Sequence, residues 1–377
     1  MNVQERIVSL TLDLVRAKSE NPPGNEELVA DIIEARLKNY LQFERIKVSE
    51  GRPNLVFGTG KEIVFNGHMD TVPIGSGWVH NPTGEVINGK IYGRGSSDMK
   101  GALASIIISI EDLIDAGNKD ILKKCKFAFV ADEESGGKYG TKAILEKIKS
   151  KYGVVMEGSV NNGVVFIRPG VRGSLWIELV SHGKSAHASN PAGGLNAVLN
   201  LAEVLVSLKN INFKFKKHTY LPDPTMSIGT TITGGEKVNI IPDYAKASLD
   251  IRVLPSQVKE EIIKAIEVVI QAQKYKNPTL NIDLNIIGEN PAAEIPLDSR
   301  IIEIAKKAGK DVLNYEPAIT GGSGSNDSAY MIKRGIETIS FGPGDFLNDN
   351  AHGKDESVSI ATLVQMQKIY RRMIENA

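Results

Sequence analysis

Short apolar runs of strand composition alternate with longer runs of helical periodicity in the first half of the chain. The predicted strands cover residues 54–57, 63–65, 125–130 and 153–156, and the predicted helices cover residues 3–18, 26–37, 99–113 and 143–148. Strands that alternate with helices in this way predict a sheet with helices on both faces. Because only residues 58–61 separate the first two strands, we expect these two to pair as a hairpin.

The pattern changes near Val171 and returns after Pro291. The intervening segment reads as strand–helix–strand–strand–helix, over residues 174–180, 196–208, 225–233, 247–253 and 257–273. A series of this length fits a small α+β domain. We therefore predict an α/β domain with a helix-flanked mixed sheet, formed by residues 1–171 and 287–377. An inserted α+β domain at residues 172–286 interrupts it.

Composition excludes several classes of protein. Apolar residues make up 41% of the chain and charged residues 24%, which excludes a disordered chain. Lys and Arg together number 45, as do Asp and Glu, so we expect no broad basic surface for nucleic acid or membrane. The chain has no apolar run near ~18 residues and begins unlike a signal peptide. Its single cysteine, Cys125, excludes an internal disulfide. We expect a cytoplasmic protein.

Imidazole and carboxylate groups follow several of the predicted strands. His68 and Asp70 come directly after the strand at 63–65, and alternate residues of an extended segment point the same way. Ligands of α/β sheets gather at the carboxyl ends of strands, so a site is expected here. A carboxylate beside an imidazole fixes the imidazole tautomer at metal sites. Taken alone, however, the pair is more often a strand-end histidine satisfied by a turn carboxylate.

Two further segments add carboxylates. Asp98 begins a buried helix after the glycine-rich run 93–101, where an acidic residue usually serves only as a cap. Glu133 and Glu134 follow the strand at 125–130. Carboxylates crowded at the end of a buried strand repel one another unless a cation or solvent relieves them, so a solvated acidic turn is the alternative there.

Glu157 and His352 follow two other apolar strands. The strand ends and the helix start therefore carry two imidazoles and several carboxylates, without a thiolate. Such a set suits a pair of zinc-type ions, ~3.5–4 Å apart and bridged by one carboxylate. One carboxylate is then left as a general base.

Characteristic segments occur in a fixed order along nearly the whole chain. They are GHMDTVP (67–73), YGRG (92–95), SDMKG (97–101), ADEE (131–134) with Gly136, Glu157, GKSAHA (183–188), VNIIP (238–242), DIR (250–252) and His352. In these residues the chain resembles the dinuclear zinc aminoacylase family. That family includes acetylornithine deacetylases, succinyl-diaminopimelate desuccinylases, aminoacylases and glutamate-type carboxypeptidases.

The resemblance implies two zinc ions, with Co or Mn as substitutes. His68, Asp98 and Glu157 would hold one ion, and His352, Asp98 and Glu134 the other. Asp98 would therefore be the bridging ligand.

The resemblance also assigns the catalytic groups. Glu133 would take a proton from the metal-bridged water and later deliver it to the leaving amine. Asp70 would orient His68. A cis peptide bond is implied between Asp98 and Met99.

For the inserted domain, the resemblance implies a ferredoxin-like lid that also forms a homodimer. His187 would polarise the scissile carbonyl, in relatives from the partner subunit, and Asn239 would do similar work. Arg252 would receive the substrate carboxylate, with a surface ion pair as the alternative. Arg172 and the glycine-rich loop 322–327, which contains Gly324, are further candidate substrate contacts.

Other enzyme classes lack their motifs. The chain has no Gly-x-Ser-x-Gly elbow, no His-Glu-x-x-His helix and no complete phosphate-binding loop. Glu157 is followed by Gly158 rather than proline. A glutamate at this position is a feature that the chain shares with desuccinylases and aminopeptidase-like relatives of the family it resembles. Acetylornithine deacetylases tend to have an aspartate there.

We hypothesise zinc-dependent hydrolysis of the amide bond of an N-acyl amino acid. The alternative within the family is a metallo-exopeptidase, either a carboxypeptidase or a dipeptidase, that acts on short peptides. A non-catalytic homologue is disfavoured because no ligand or base is missing.

Overall fold

The computed structural model describes residues 1–322 and 324–377. The helices of these residues are α1 (Val3–Arg16), α2 (Glu27–Leu37), α3 (Gly101–Asp115), α4 (Thr141–Ile144), α5 (Ala197–Leu208), α6 (Lys259–Lys276), α7 (Arg300–Leu313), α8 (Ser328–Lys333) and α9 (Ile360–Glu375). Their strands are β1 (Phe43–Ser49), β2 (Arg52–Phe57), β3 (Ile63–His68), β4 (Glu85–Ile87), β5 (Lys90–Tyr92), β6 (Cys125–Val130), β7 (Tyr152–Asn161), β8 (Val164–Ile167), β9 (Gly170–Val171), β10 (Gly173–His182), β11 (Ala186–His187), β12 (Thr225–Gly234), β13 (Ile240–Ile241), β14 (Tyr244–Val253), β15 (Asn281–Asn290), β16 (Ala293–Glu294), β17 (Ala318–Ile319), β18 (Glu337–Asp345) and β19 (Ser357–Ser359).

The first of two compact units comprises Met1–Gly170, Glu294–Gly322 and Asn326–Ala377. Its main sheet has the strand order β1-β2-β6-β3-β7-β8-β17, and β18 also pairs with β7. β6, β3, β7 and β18 run parallel, whereas β1 and β2 are antiparallel to their neighbours. Parallel neighbours require crossover connections, which the helices between these strands provide.

Both faces of this sheet are covered. Phe65 and Phe127 face a core that also contains residues of α1, α2, α3, α7 and α9. Val64 and Ala128, the alternate residues, face a second core with residues of α4 and α8. Burial on both faces explains the nearly continuous apolar runs of β3 and β6, and the predicted fold class is confirmed. Across the described residues, no helix combines the length and apolar character needed to cross a bilayer.

The predicted hairpin of the strands at 54–57 and 63–65, which correspond to β2 and β3, is wrong. β6 lies between β2 and β3, pairing with β2 antiparallel and with β3 parallel. A short connection made these strands look like partners, but β6, more than fifty residues further along the chain, supplies the hydrogen bonds to both. Strand β1, which pairs with β2, was also not predicted.

The second unit comprises Val171–Ala293 and residues 324–325. Its elements follow in the order β10, α5, β12, β14, α6 and β15. The sheet is antiparallel with strand order β12-β14-β10-β15, which is the ferredoxin-like arrangement. Leu201 of α5 and Ile266 of α6 pack with Ile177 and Leu249 in a core on one face of the sheet.

The expected boundary between residues 286 and 287 falls inside β15, and this is a correction. β15 pairs with β10 from Asn281 to Asn290, so the second unit continues to Ala293. The strand was not predicted because its side chains alternate between exposed and partly buried positions and include several polar residues.

Candidate metal centre

Three parallel strands bring distant side chains to one edge of the first unit's sheet. β3 pairs with β6 in register up to His68 opposite Val130, so both chains leave the sheet at the same level. β3 also pairs Asn66 with Val155 of β7. His68 and Glu157, each two residues further on, therefore reach the same level of the sheet.

The sequence predicts that Glu157 lies at the end of a strand, and this is wrong because Glu157 lies inside β7. β7 continues to Asn161 because its second half pairs with β18 and β8, beyond the point where its pairing with β3 stops. The carboxylate of Glu157 still lies at the level of His68, because the pairing of β3 with β7 stops at Asn66 and Val155 and no residue of β3 pairs with Glu157.

Asp70 connects the histidine with the acidic turn after β6. Its Oδ1 and Oδ2 accept the backbone N–H groups of Glu133 and Glu134 at 3.1 and 3.2 Å. Nδ1 of His68 lies 3.0 Å from the backbone oxygen of Asp70 and 3.5 Å from its Oδ1. Asn21 donates to Asp70 Oδ2 at 2.8 Å. These contacts leave Nε2 of His68 directed away from Asp70.

Asp98 lies between two imidazoles. Its Oδ1 is 3.1 Å from Nε2 of His68, and its Oδ2 is 3.2 Å from Nε2 of His352. The same Nε2 of His352 is 3.0 Å from Oε2 of Glu134. The peptide between Asp98 and Met99 is cis. One carboxylate oxygen towards each of two imidazoles is the arrangement that a bridging ligand requires.

The remaining carboxylates complete two groups. The ligand atoms of His68, Asp98 and Glu134 lie within 4.8 Å of one another, as do those of His68, Glu133 and Glu157. Glu133, for which the resemblance implies a base, is thus as close to this cluster as the carboxylates for which it implies metal binding.

Two carboxylate oxygens of this cluster are buried without a hydrogen-bond partner in the described part of the chain, Glu134 Oε1 and Glu157 Oε1. Burial and the negative charge of Asp98 raise the pKa of Glu157 to about 8. Burial and the charge of Glu157 likewise raise the pKa of Glu133 well above its ordinary value. Cations would satisfy the free oxygens and favour the ionised carboxylates. The residues present therefore fit a pair of divalent ions.

The neighbouring carboxylates also change the pKa of His352. Hydrogen bonds with Asp98 and Glu134 raise the pKa of His352 to about 10. Burial by itself would raise the pKa of Asp98, but its hydrogen bonds with His352 and His68 outweigh burial and lower it. In this cluster the carboxylate of Asp98 is thus hydrogen-bonded to both imidazoles, those of His68 and His352.

Sequence reasoning did not find the residues behind the cluster. Asn326 donates from Nδ2 to Glu157 Oε2 and to Ser340 Oγ, both at 2.9 Å, which leaves only Oε1 of Glu157 without a partner. Asn326 belongs to the glycine-rich loop that was assigned to substrate. A buried amide beside an acidic strand residue is visible only once the fold is known. Ser323 of the same loop lies outside the described residues.

Arg52 contacts the acidic turn after β6 through Asp132. Its guanidinium donates to both oxygens of Glu26, at 3.1 and 2.6 Å, and to Asp132 Oδ1 at 2.9 Å. Asn21 donates to the same oxygen of Asp132 at 3.2 Å and links this network to Asp70.

His187 and Asn239 are neighbours in the second unit. β11 pairs with β13, and the N–H of Ala188 donates to the backbone oxygen of Asn239 at 2.9 Å. Both side chains belong to exposed residues. Nδ1 of His187 accepts the backbone N–H of Ser189 at 3.1 Å, so in the neutral imidazole Nε2 carries the proton.

Arg252 is held by a carboxylate of its own strand. Its Nε and Nη2 donate to the two oxygens of Asp250 at 2.7 and 2.8 Å, the ion pair that the sequence left open as an alternative. Arg172 is buried and donates to the backbone oxygen of Asp223 at 2.7 Å. Burial and the charge of Arg252 lower the pKa of Arg172. Gly324 is exposed, and a Cβ built on it would meet no atom within 4 Å.

Comparison with known proteins agrees with this chemistry. A profile of Peptidase family M20/M25/M40 matches residues 64–376. A metallohydrolase of Methanocaldococcus jannaschii, itself uncharacterized, is 29% identical over 416 residues and aligns with 100% of both chains. Succinyl-diaminopimelate desuccinylase of Wolinella succinogenes is 30% identical over 344 residues, 87% of this chain and 89% of that protein.

Among solved structures, an M20 family metallo-carboxypeptidase from Sulfolobus solfataricus superposes with a TM-score of 0.81. The match covers 100% of this chain and 99% of that chain at 20% sequence identity. At this identity the likeness shows a shared fold.

Proposed function

The chain belongs to Peptidase family M20/M25/M40, and on that premise we propose that it is a zinc enzyme that hydrolyses N-acyl amino acids. As a member of this family it is a metal-dependent hydrolase of amide bonds. The position of Asp98, with one oxygen towards His68 and the other towards His352, supports a centre of two ions.

His68, Asp98 and Glu157 would hold one ion, and His352, Glu134 and the shared Asp98 would hold the other. Two zinc ions, when bound, supply a Lewis acid for the scissile carbonyl and lower the pKa of a water molecule. The free, buried oxygens of Glu134 and Glu157 support this assignment. Imidazole and carboxylate ligands suit zinc, and Co or Mn would substitute for it.

Glu133 is the general base. It takes a proton from the attacking water and delivers it to the leaving amine as the C–N bond breaks. Its position supports this role, because a ligand atom of its carboxylate lies within 4.8 Å of those of His68 and Glu157, beside the ion that these two residues would hold. The backbone N–H of Glu133 is fixed by Asp70, which also orients His68.

The second unit supplies the substrate contacts. Nε2–H of His187 donates to the oxygen of the scissile carbonyl, with Asn239 beside it, and we propose that His187 acts across a homodimer formed by this unit. Arg252 and Arg172 receive the free carboxylate of the substrate. Gly324 leaves room for the substrate's acyl or amino acid part.

The acyl group is proposed from similarity. A succinyl-diaminopimelate desuccinylase is 30% identical to this chain, and Glu157 is the residue type expected for such relatives. An N-succinyl amino acid is therefore the first substrate to test. Exopeptidase activity on dipeptides is the competing outcome.

The test is a panel of N-succinyl, N-acetyl and dipeptide substrates with protein stripped by a chelator and restored with Zn, Co or Mn. We expect restored hydrolysis that is fastest for N-succinyl or N-acetyl amino acids, with His352→Ala protein as the control that does not recover. Hydrolysis of dipeptides alone would replace the deacylase proposal by the exopeptidase one. Wild-type protein that binds no divalent metal would refute the proposed centre itself.

A further inference from the structure

A buried ion pair joins two segments of the first unit that lie far apart in sequence. Arg94 Nη1 donates to Glu356 Oε2 at 2.6 Å across 262 residues of chain. The side chains are only 5% and 1% exposed. Burying such a pair is unfavourable unless its remaining donors and acceptors are also satisfied, so the partners of both groups indicate what the pair is for.

The carboxylate of Glu356 holds the turn that carries Asp98. Oε1 accepts the backbone N–H groups of Ser97 and Asp98 at 3.0 and 3.1 Å, and Oε2 accepts that of Gly95 at 3.1 Å. Three successive contacts to one turn fix the direction in which the side chain of Asp98 leaves the backbone.

The guanidinium of Arg94 holds the loop that carries His352. Nη2 donates to the backbone oxygen of Gly353 at 2.9 Å and approaches that of His352 at 3.4 Å. Nε donates to Pro73, in the segment that follows β3, at 3.2 Å. The ring of Trp78 covers the guanidinium at 5.2 Å. The side chain of His352 is itself 53% exposed, so its position depends on its backbone rather than on packing around the imidazole.

We infer that the Arg94–Glu356 pair is a positioning element that sets His352 against Asp98 and so builds the second of the two metal positions. This rests on the proposed function. One end of the pair fixes the bridging ligand, and the other fixes the imidazole that shares it. Only a planar fork reaches Glu356 and the loop carbonyls together, which a lysine cannot do.

The effect should be selective. His68 has a separate support in Asp70, which the Arg94–Glu356 pair does not contact. Both positions share Asp98 and should weaken when the pair is lost, but the position that contains His352 should weaken more, because its imidazole loses its support as well. Supporting groups behind metal ligands typically change metal affinity by ~10–100-fold.

The experiment compares wild type, Arg94→Lys and Glu356→Gln, each stripped of metal and titrated with Co²⁺ and Zn²⁺. Binding is followed by calorimetry and by the visible absorption of Co²⁺. His352→Ala marks the loss of the second position. Arg36→Lys is the matched control, because Arg36 makes a two-pronged ion pair with Glu111 of the same unit, at 2.6 and 2.7 Å, without touching the cluster.

We expect wild type and Arg36→Lys to bind two ions. In Arg94→Lys and Glu356→Gln, the ion at the position of His352 should lose about 10–100-fold in affinity, and the other ion should lose less. Their Co²⁺ spectra should move towards that of His352→Ala. Unchanged isotherms and spectra, or equal weakening of both positions, would overturn the inference. If Arg94→Lys does not fold, as judged by circular dichroism in chelator, Glu356→Gln decides. Wild type that binds no metal would instead defeat the proposed function.

Discussion

The candidate residues of the two units are held in different ways. In the first unit, His68 and Asp70 are fully buried, and Asp98 and Glu134 have fixed partners from other segments of the chain. In the second unit, His187 is exposed, and within the described residues its imidazole is hydrogen-bonded to the nearby Ser189. The first set is organised by the fold before any substrate binds. In the second set, His187 and Arg252 are held by residues close to them in sequence, whereas Arg172 is buried and donates to the more distant Asp223.

This difference predicts which measurable quantity each region controls. Changes in the first unit should act on metal binding and on kcat, because its side chains are the ones proposed to bind the cations and to transfer the proton. Changes in the second unit should leave metal content intact.

Glu133→Gln should lower kcat by ~10²–10⁴-fold, since the amide cannot accept the proton of the attacking water. The metal content should stay at the wild-type value, because Glu133 is assigned to proton transfer. Steady-state kinetics and metal analysis measure the two effects, with Glu62→Gln as control, because Glu62 is only partly exposed and pairs with Lys151. Loss of a metal ion together with activity would mean that Glu133 is a metal ligand and not the general base.

His187→Ala should lower kcat by ~10²–10³-fold, the usual effect of removing one donor to a developing oxyanion, with metal content unchanged. Mixing this inactive variant with inactive Glu133→Gln tests the homodimer. If His187 serves the partner's site, random exchange of subunits restores about a quarter of wild-type activity, because half of the dimers then have one intact site. No recovery after verified exchange would place His187 in its own subunit's site.

Asp250→Asn should have a smaller effect, on KM alone. Asp250 occupies the guanidinium fork of Arg252, so it competes with a substrate carboxylate. A partly exposed ion pair contributes ~0.2–1 kcal/mol, and its removal should lower KM by up to about five-fold. Arg252→Lys should raise KM instead. A higher KM for Asp250→Asn would mean that Asp250 orients Arg252 rather than competing for it.

The smallest expected effect is a pH dependence confined to the first unit. Burial and the charge of Asp98 raise the pKa of Glu157 from 4.5 to about 8. The folded, metal-free protein therefore keeps a proton that the unfolded chain loses, and this contribution to stability is lost as pH rises through about 8. Zinc binds the ionised carboxylate, so the Tm difference between zinc and chelator should widen by a few degrees from roughly pH 5 to pH 8. A constant or narrowing difference would contradict the buried position of Glu157.

Much of the site was predictable because its residues follow apolar strands. His68 and the pair Glu133–Glu134 come directly after β3 and β6, and parallel strands in register bring such residues together. The Asp250–Arg252 pair was also within reach, since alternate residues of a strand lie on one face. Asn326 and Arg52 were not predictable, because their partners come from distant segments and carry no local pattern.

Sequence alone determined the periodicities of most helices and strands and the residue types that bind metal. These depend on side-chain chemistry and on spacing along the chain, both of which are local. Tertiary structure alone decided that β6 separates β2 from β3, that β15 completes the second sheet, and that Glu356 reaches Asp98. Hydrogen bonds between remote segments set these contacts, and their partners are chosen by the packing of the whole unit.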